Sequence, residues 1–146
     1  MKHLEYKTQI AANKKKVWNT MLAPETYKAW TGVSWPGSTY QGIWAKGENI
    51  RFVSSSGEGT LATLVEQKPY EDILAKHIAV IKADGSEDRD SDVAKGWVGT
   101  LERYTFNERD GKTELTVSID TTPEWESMFN DGWPNALAKL KEICEN

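Results

Sequence analysis

The C-terminal segment of the chain has apolar residues at the spacing of an amphipathic helix. Between residues 123 and 145 large apolar side chains recur at helical intervals and share one stripe: Trp125, Met128, Phe129, Trp133, Leu137, Leu140, Ile143 and Cys144. Thr122 is suited to the N-cap position, and Pro123 to the first helical position, where its missing N–H costs nothing. The pattern predicts one long helix over 123–145, with a kink near Gly132 and Pro134.

Most of the chain before this helix alternates between apolar and polar residues, as antiparallel strands do. A first strand has Leu4, Tyr6, Thr8 and Ile10 on one face. Two short helices follow, the first capped by Asn13 and the second opened by Pro24. Six further strands are predicted, over 40–45, 50–54, 60–67, 72–82, 97–107 and 113–121. Residues 83–96 form one long acidic connection between two of them.

The order of these elements indicates an α+β fold. A terminal helix that follows a run of antiparallel strands must bury its apolar stripe against their sheet. We therefore expect a helix-grip arrangement, in which a curved antiparallel sheet wraps around the long C-terminal helix and two short helices follow the first strand. Residues 1–146 are expected to form a single domain with a cavity between sheet and helix.

Four local patterns resemble those of one known family. They are Val17-Trp18, Pro24 with Trp30, Gly111-Lys112-Thr113-Glu114-Leu115, and Gly132-Trp133-Pro134 followed by Leu137 and Leu140. The family is named for the activator of a heat-shock chaperone ATPase, and its helix-grip fold is shared with birch-pollen-allergen and START-like lipid-transfer domains. The resemblance implies this fold over nearly the whole chain. It also implies binding of small apolar molecules, and it brings no universal catalytic motif.

Composition and charge exclude several classes of function. The chain has 18 basic and 22 acidic residues, and no long basic block of the kind that binds nucleic acid. No apolar run reaches the ~20 residues needed to span a membrane, and the N-terminus lacks the apolar core of a signal peptide. Cys144 is the only cysteine, so no intrachain disulfide forms. These features favour a cytoplasmic protein.

The Asp110-Gly111 dipeptide sets the register of the last hairpin, because a two-residue turn with positive φ favours this pair. Counting outward from the turn places Phe106 opposite Leu115, Tyr104 opposite Val117 and Glu102 opposite Ile119. Glu102 and Tyr104 should therefore point inward with the apolar face. An inward carboxylate must be paired, hydrogen-bonded or protonated. Glu102 either bonds a core group, turns outward at a bulge or faces a ligand.

His77 and three tryptophans are the other candidate binding residues. Counting across the turn at residues 69 and 70 places His77 on the same face as several small side chains, which leave space for a ligand. A structural or solvent-facing histidine is the alternative. Trp35 and Trp97 flank irregular segments and are placed to line a cavity mouth, whereas Trp133 lies on the helix stripe and is expected to be both a core anchor and a ligand contact.

Motifs for metals, cofactors and nucleophilic catalysis are not found. The acidic connection has its glycine, Gly85, too early for a calcium loop, and the histidines and the cysteine lie on separate elements. No nucleophile elbow, Walker loop or dinucleotide fingerprint occurs. We therefore expect no metal and no cofactor.

Three functional hypotheses remain, in order of preference. The first is binding of a small, largely apolar ligand by Glu102, Tyr104, His77, Trp97 and Trp133. The second is a chaperone-associated module that binds a protein partner through an exposed patch. The third is a cyclase- or hydrolase-like enzyme with Glu102 and His77 as acid and base, which requires both groups within reach of one substrate.

Overall fold

A single antiparallel sheet of eight strands forms the body of the molecule. The computed structural model describes residues 1–146. The strands run in the order β1-β8-β7-β5-β4-β3-β2, with β6 paired to β5. Their bounds are β1 (Lys2–Ile10), β2 (Thr39–Gly42), β3 (Asn49–Val53), β4 (Gly59–Lys68), β5 (Asp72–Ile81), β6 (Glu87–Asp88), β7 (Leu101–Arg109) and β8 (Lys112–Thr121). The predicted α+β class is confirmed.

Four helices accompany the sheet: α1 (Lys14–Leu22), α2 (Pro24–Gly32), α3 (Asp92–Trp97) and α4 (Glu126–Glu145). The Asn13 side chain caps α1 by accepting a 2.8 Å hydrogen bond from the Lys16 amide, as its sequence position predicts. The long helix α4 packs against β1, α1 and α2. None of the four combines the length and the apolar composition that a membrane crossing requires.

The start of the terminal helix differs from the prediction. Residues Pro123–Trp125 form a separate 3-10 turn, and the α-helix begins at Glu126. The Thr122 side chain makes no capping hydrogen bond to a backbone amide. Pro123 has no backbone N–H, so one of the amides that a capping side chain would satisfy is absent. The 3-10 turn therefore forms without a capping hydrogen bond.

The apolar stripe of α4 faces the sheet as predicted. Trp133, Leu137, Leu140 and Cys144 are buried, and they join the main core with side chains from β1, β7, β8, α1 and α2. Phe129 and Ile143 are partly buried against the same core. Burial of this stripe stabilises the fold by roughly 25 cal/mol per Å² of apolar surface removed from water, and this is the main force that holds α4 on the sheet.

The last hairpin has the predicted register. Asp110 and Gly111 both have positive φ, at 55° and 78°, so the two-residue turn joins β7 and β8 without an inserted residue. Glu102 pairs with Ile119, and the Tyr104 and Phe106 positions follow in step opposite Val117 and Leu115. The inward direction of Glu102 and Tyr104 is a consequence of this turn.

The connection over 83–96 is more ordered than predicted. It contains β6 and α3, and β7 begins at Leu101 instead of residue 97. Short polar side chains build this segment, since the Asp88 carboxylate accepts hydrogen bonds from the Ser91 amide and hydroxyl. The Ser91 hydroxyl in turn caps α3 through the Ala94 amide, at 3.2 Å. Trp97 is consequently the last residue of a helix and not the first of a strand.

Candidate ligand-binding cavity

A cavity of about 430 Å³ lies between the concave face of the sheet and the helices. Its lining is mostly apolar, and nine aromatic side chains contribute to it: Tyr27, Trp30, Trp35, Phe52, Trp97, Tyr104, Trp125, Phe129 and Trp133. This volume and this lining are typical of sites for small organic molecules. A few polar side chains, chiefly Glu102 and His77, interrupt the apolar wall.

Glu102 and His77 lie on neighbouring strands, diagonally across the sheet. Glu102 pairs with Ala75, and the His77 amide bonds the Thr100 carbonyl two positions along, at 2.9 Å. Both side chains therefore occupy the same face, close enough for long side chains to meet. Nε2 of His77 lies 3.3 Å from Oε1 of Glu102, and the Tyr104 hydroxyl donates a hydrogen bond to the other oxygen.

His77 is a buried member of the cavity wall, with 4% of its surface exposed. The Phe52 and Trp97 rings lie near its imidazole, with centroids at 6.4 Å and 5.8 Å. Its Nδ1 atom is buried and has no hydrogen-bond partner in the protein. The solvent-facing alternative for His77 is therefore wrong.

Trp97 reaches the cavity because of the backbone that follows α3. The Gly99 amide donates to the His77 carbonyl at 2.8 Å, and the segment then joins β7. Gly99 has a φ of 91°, a conformation that favours glycine, so this turn depends on the residue type. The Trp97 indole meets the His77 ring edge-on and contacts Trp125 and Phe129 at centroid distances of 6.0 Å and 6.1 Å.

Trp133 joins the cavity to the core. Its ring is 5% exposed and lies 5.4 Å from Trp35 and 5.9 Å from Trp30 between centroids. It also contacts Tyr104 on β7 and stacks on Tyr6 of β1, both at 6.3 Å. Trp133 is thus the core anchor that its position on the helix stripe predicts, and it lines the cavity as well.

Tyr27 on α2 is held in its neutral form. Burial raises the pKa of its hydroxyl well above the usual value, and the nearby negative charge of Glu102 and the Tyr40 hydroxyl raise it further. Tyr27 lines the same cavity as Glu102. The Glu102 carboxylate therefore influences the electrostatics on the helical side of the cavity as well as on the sheet.

All five residues selected from the sequence line this cavity: Glu102, Tyr104, His77, Trp97 and Trp133. Tyr27, Phe52 and Glu58 also line it and were not identified from the sequence. Phe52 could have been identified from the sequence, because it lies two residues after Ile50 and therefore shares its face of β3. No comparable pattern marked Tyr27 or Glu58. No group of three or more His, Cys, Asp or Glu side chains is arranged to hold a metal ion.

Solved structures share this fold over nearly the whole of this chain. A dimeric Aha1 from Colwellia psychrerythraea is 16% identical, with a TM-score of 0.73 over 99% of this chain and 97% of that one. Protein MLL2253 from Mesorhizobium loti is 12% identical, with a TM-score of 0.75 over 97% and 96%. CalU16 from Micromonospora echinospora is 14% identical, with a TM-score of 0.63 over 97% and 75%. At these identities the likeness shows the fold alone.

No curated protein sequence matches this chain significantly. A family model does match, and it is described as Activator of Hsp90 ATPase homolog 1-like protein. The match extends from residue 11 to residue 145, which includes every helix, the cavity and every strand except β1. The chain therefore belongs to the Activator of Hsp90 ATPase homolog 1-like family.

Proposed function

We propose that this chain binds a small, largely apolar molecule in the cavity between the sheet and α4. One observation carries the proposal, namely a cavity of about 430 Å³ whose lining is mostly apolar and includes nine aromatic residues. Protein interiors are otherwise closely packed, so a space of this size lined by aromatic rings favours a site for an apolar ligand. A ligand would bury this surface and orient itself on Glu102, His77 and Tyr104.

The first experiment looks for the molecule itself. Native mass spectrometry of the purified full-length chain should detect a species heavier than the protein alone, which a denaturing spectrum resolves into protein and a small molecule. If none co-purifies, titration with the neutral fluorescent probe N-phenyl-1-naphthylamine should show saturable binding with one site per chain. Absence of saturation by any neutral apolar probe contradicts the proposal.

A matched pair of variants places the binding in this cavity. Phe129 and Ile143 are both partly buried on α4, but only Phe129 lines the cavity. Phe129→Ala should weaken probe binding by about fivefold or more, as expected when an aromatic contact is truncated. Ile143→Ala should change the affinity little. Equal effects of the two substitutions would mean that the probe binds elsewhere.

Acid–base chemistry on the bound molecule is a second candidate, favoured by the 3.3 Å approach of His77 to Glu102 inside the cavity. A histidine held by a carboxylate is a common general base. The two functions differ in what His77→Ala leaves in the cavity. If the chain only binds, the same molecule should co-purify with the variant and with the unaltered protein. If it catalyses, the variant should retain a molecule of different mass.

A further inference from the structure

The charged groups of the cavity wall are of one sign. Glu102 lies within the wall, Glu58 is exposed where the cavity opens, and no lysine or arginine contributes to the lining. His77 is the one lining residue that is able to carry a positive charge. A carboxylate or phosphate ligand would therefore enter this cavity against two negative charges and without a fixed cation to bind it.

The Glu102 carboxylate has hydrogen-bond partners but no fixed cation. One oxygen accepts from the Tyr104 hydroxyl and the other lies 3.3 Å from Nε2 of His77. The adjacent residue Arg103 points to the opposite face, where its guanidinium binds Asp72 through two contacts of 3.0 Å. With its side chain only 15% exposed, Glu102 holds a largely desolvated negative charge.

His77 directs Nε2 at Glu102, and its Nδ1 atom is buried without a partner in the protein. Because the two nitrogens of an imidazole point in nearly opposite directions, a group that bonds Glu102 does not reach Nδ1. Glu102 is therefore the charged acceptor that the cavity wall offers to a ligand.

We propose that the molecule bound in this cavity is a hydrophobic amine in its protonated form, an inference that rests on the proposed binding function. The ammonium group donates hydrogen bonds to the Glu102 carboxylate. The apolar body of the amine packs among the aromatic rings of the wall. Aromatic rings line the rest of the wall, and aromatic rings also attract a cation. Both interactions favour the cation over a neutral molecule of the same shape.

A series of three naphthalene probes separates charge from shape. Calorimetric titrations of the full-length chain at neutral pH use 2-naphthylmethylamine, 2-naphthylmethanol and 2-naphthoate, which are cationic, neutral and anionic. The amine should bind about tenfold or more tightly than the alcohol, since in its hydrogen bond to Glu102 both partners are charged, whereas the hydroxyl donor of the alcohol is neutral. The naphthoate should bind least tightly. The alcohol reports on the apolar site irrespective of charge.

Two isosteric variants test whether the preference for the amine probe depends on the Glu102 carboxylate. Glu102→Gln should bring the amine affinity down to about that of the alcohol and lower the alcohol affinity much less, because the Gln carbonyl still accepts a hydrogen bond from a hydroxyl. Glu58→Gln removes the exposed carboxylate at the opening and should keep most of the preference, because water screens a charge there. If Glu102→Gln fails to fold, the order of the three probes on the unaltered protein still decides.

The outcomes distinguish this inference from the proposed function. Equal binding of amine and alcohol, tighter binding of the naphthoate, or an amine preference that survives in Glu102→Gln each overturns the amine assignment. The binding function stands in those cases, because the alcohol still occupies the cavity. Binding of none of the three probes would contradict the binding function, and the amine assignment with it.

Discussion

Gly132 of α4 lies directly against the indole of Trp35. A Cβ atom at position 132 would be 2.6 Å from Cζ2 of that ring, and the Ser34 hydroxyl donates a 2.6 Å hydrogen bond to the Gly132 carbonyl. The close approach brings Trp35 into edge contact with Trp133 and into the cavity wall. A glycine in the interior of a helix therefore determines how closely the segment after α2 packs on α4 beside the cavity.

Gly132→Ala should destabilise the protein. Alanine is the better helix former by about 1 kcal/mol, but the added methyl must displace a packed indole, which typically costs 1–3 kcal/mol. We expect a net loss of about 1 kcal/mol in urea denaturation, together with a shift in tryptophan emission. Gly32→Ala is the control, because a Cβ there meets no atom within 4 Å. It should be neutral or stabilising, and a stabilising Gly132→Ala would contradict the close approach.

Trp133→Ala should lower the free energy of unfolding by roughly 3–5 kcal/mol, the usual cost of truncating a buried aromatic residue. The space it leaves adjoins the existing cavity, so the surroundings have little means of closing it. Trp125→Ala is the comparison, since Trp125 lines the same cavity but is only partly buried. Its effect on the urea midpoint should be clearly smaller. Equal effects would contradict the anchoring role of Trp133.

Cys144 should react slowly with thiol reagents in the folded protein. It is 1% exposed, and burial is the main cause that raises the pKa of its thiol above the usual value. At pH 8 the reaction with dithionitrobenzoate should follow unfolding and accelerate with added urea. Ser127→Cys, at an exposed position of the same helix, should add one rapidly reacting thiol. Rapid reaction of Cys144 without denaturant would place it at the surface.

Glu145 should make stability depend on pH in the acidic range. Its carboxylate accepts a 2.8 Å hydrogen bond from the Ala11 amide and contacts Lys141, and these interactions lower its pKa in the folded state. A lowered folded-state pKa gives stability that is present above the unfolded value, about 4.3, and lost as the pH falls through the folded value. Glu145→Gln should therefore be less stable at pH 7, and the difference should vanish at low pH.

The control for Glu145 is Glu142→Gln on the same helix. Glu142 contacts only Lys139, at 3.3 Å and in an exposed position, so its removal should affect stability little at either pH. Thermal melts of both variants at pH 7 and pH 3 make the comparison. A difference between Glu145→Gln and the unaltered protein that grows on acidification would contradict the assigned hydrogen bonds.

The fold and the inward face of the last hairpin could be predicted because their signals are local. The apolar stripe of α4 and the Asp110-Gly111 turn each lie within a short stretch of chain. A two-residue turn admits one register, and that register determines the direction of Glu102 and Tyr104. The same local reasoning placed His77 on the face with small side chains, and Ala75 shares that face in the main core. It was wrong for Ala79, because a bulge in the pairing of β4 with β5 puts Ala79 opposite Leu61 in a separate cluster.

Reasoning from local sequence was wrong in the acidic segment, where charged residues form secondary structure. The acidic run over 83–96 was expected to be a solvated connection, yet Asp88 and Ser91 use their oxygens to build a turn and to cap α3. A polar residue type alone does not distinguish a side chain that faces water from one that accepts a hydrogen bond from a backbone amide. The strand predicted from residue 97 was displaced to Leu101 for the same reason, because α3 occupies the residues before it.

The sequence by itself determined the helix-grip order of elements, the stripe on α4 and the inward carboxylate, since each follows from a period or a turn. The tertiary structure alone decided that His77 meets Glu102 and that Trp97 packs edge-on against His77. The first contact requires β5 and β7 to pair in one register, and the second requires the Gly99 amide to bond the His77 carbonyl. These bonds join residues far apart in the chain, so no local pattern records them.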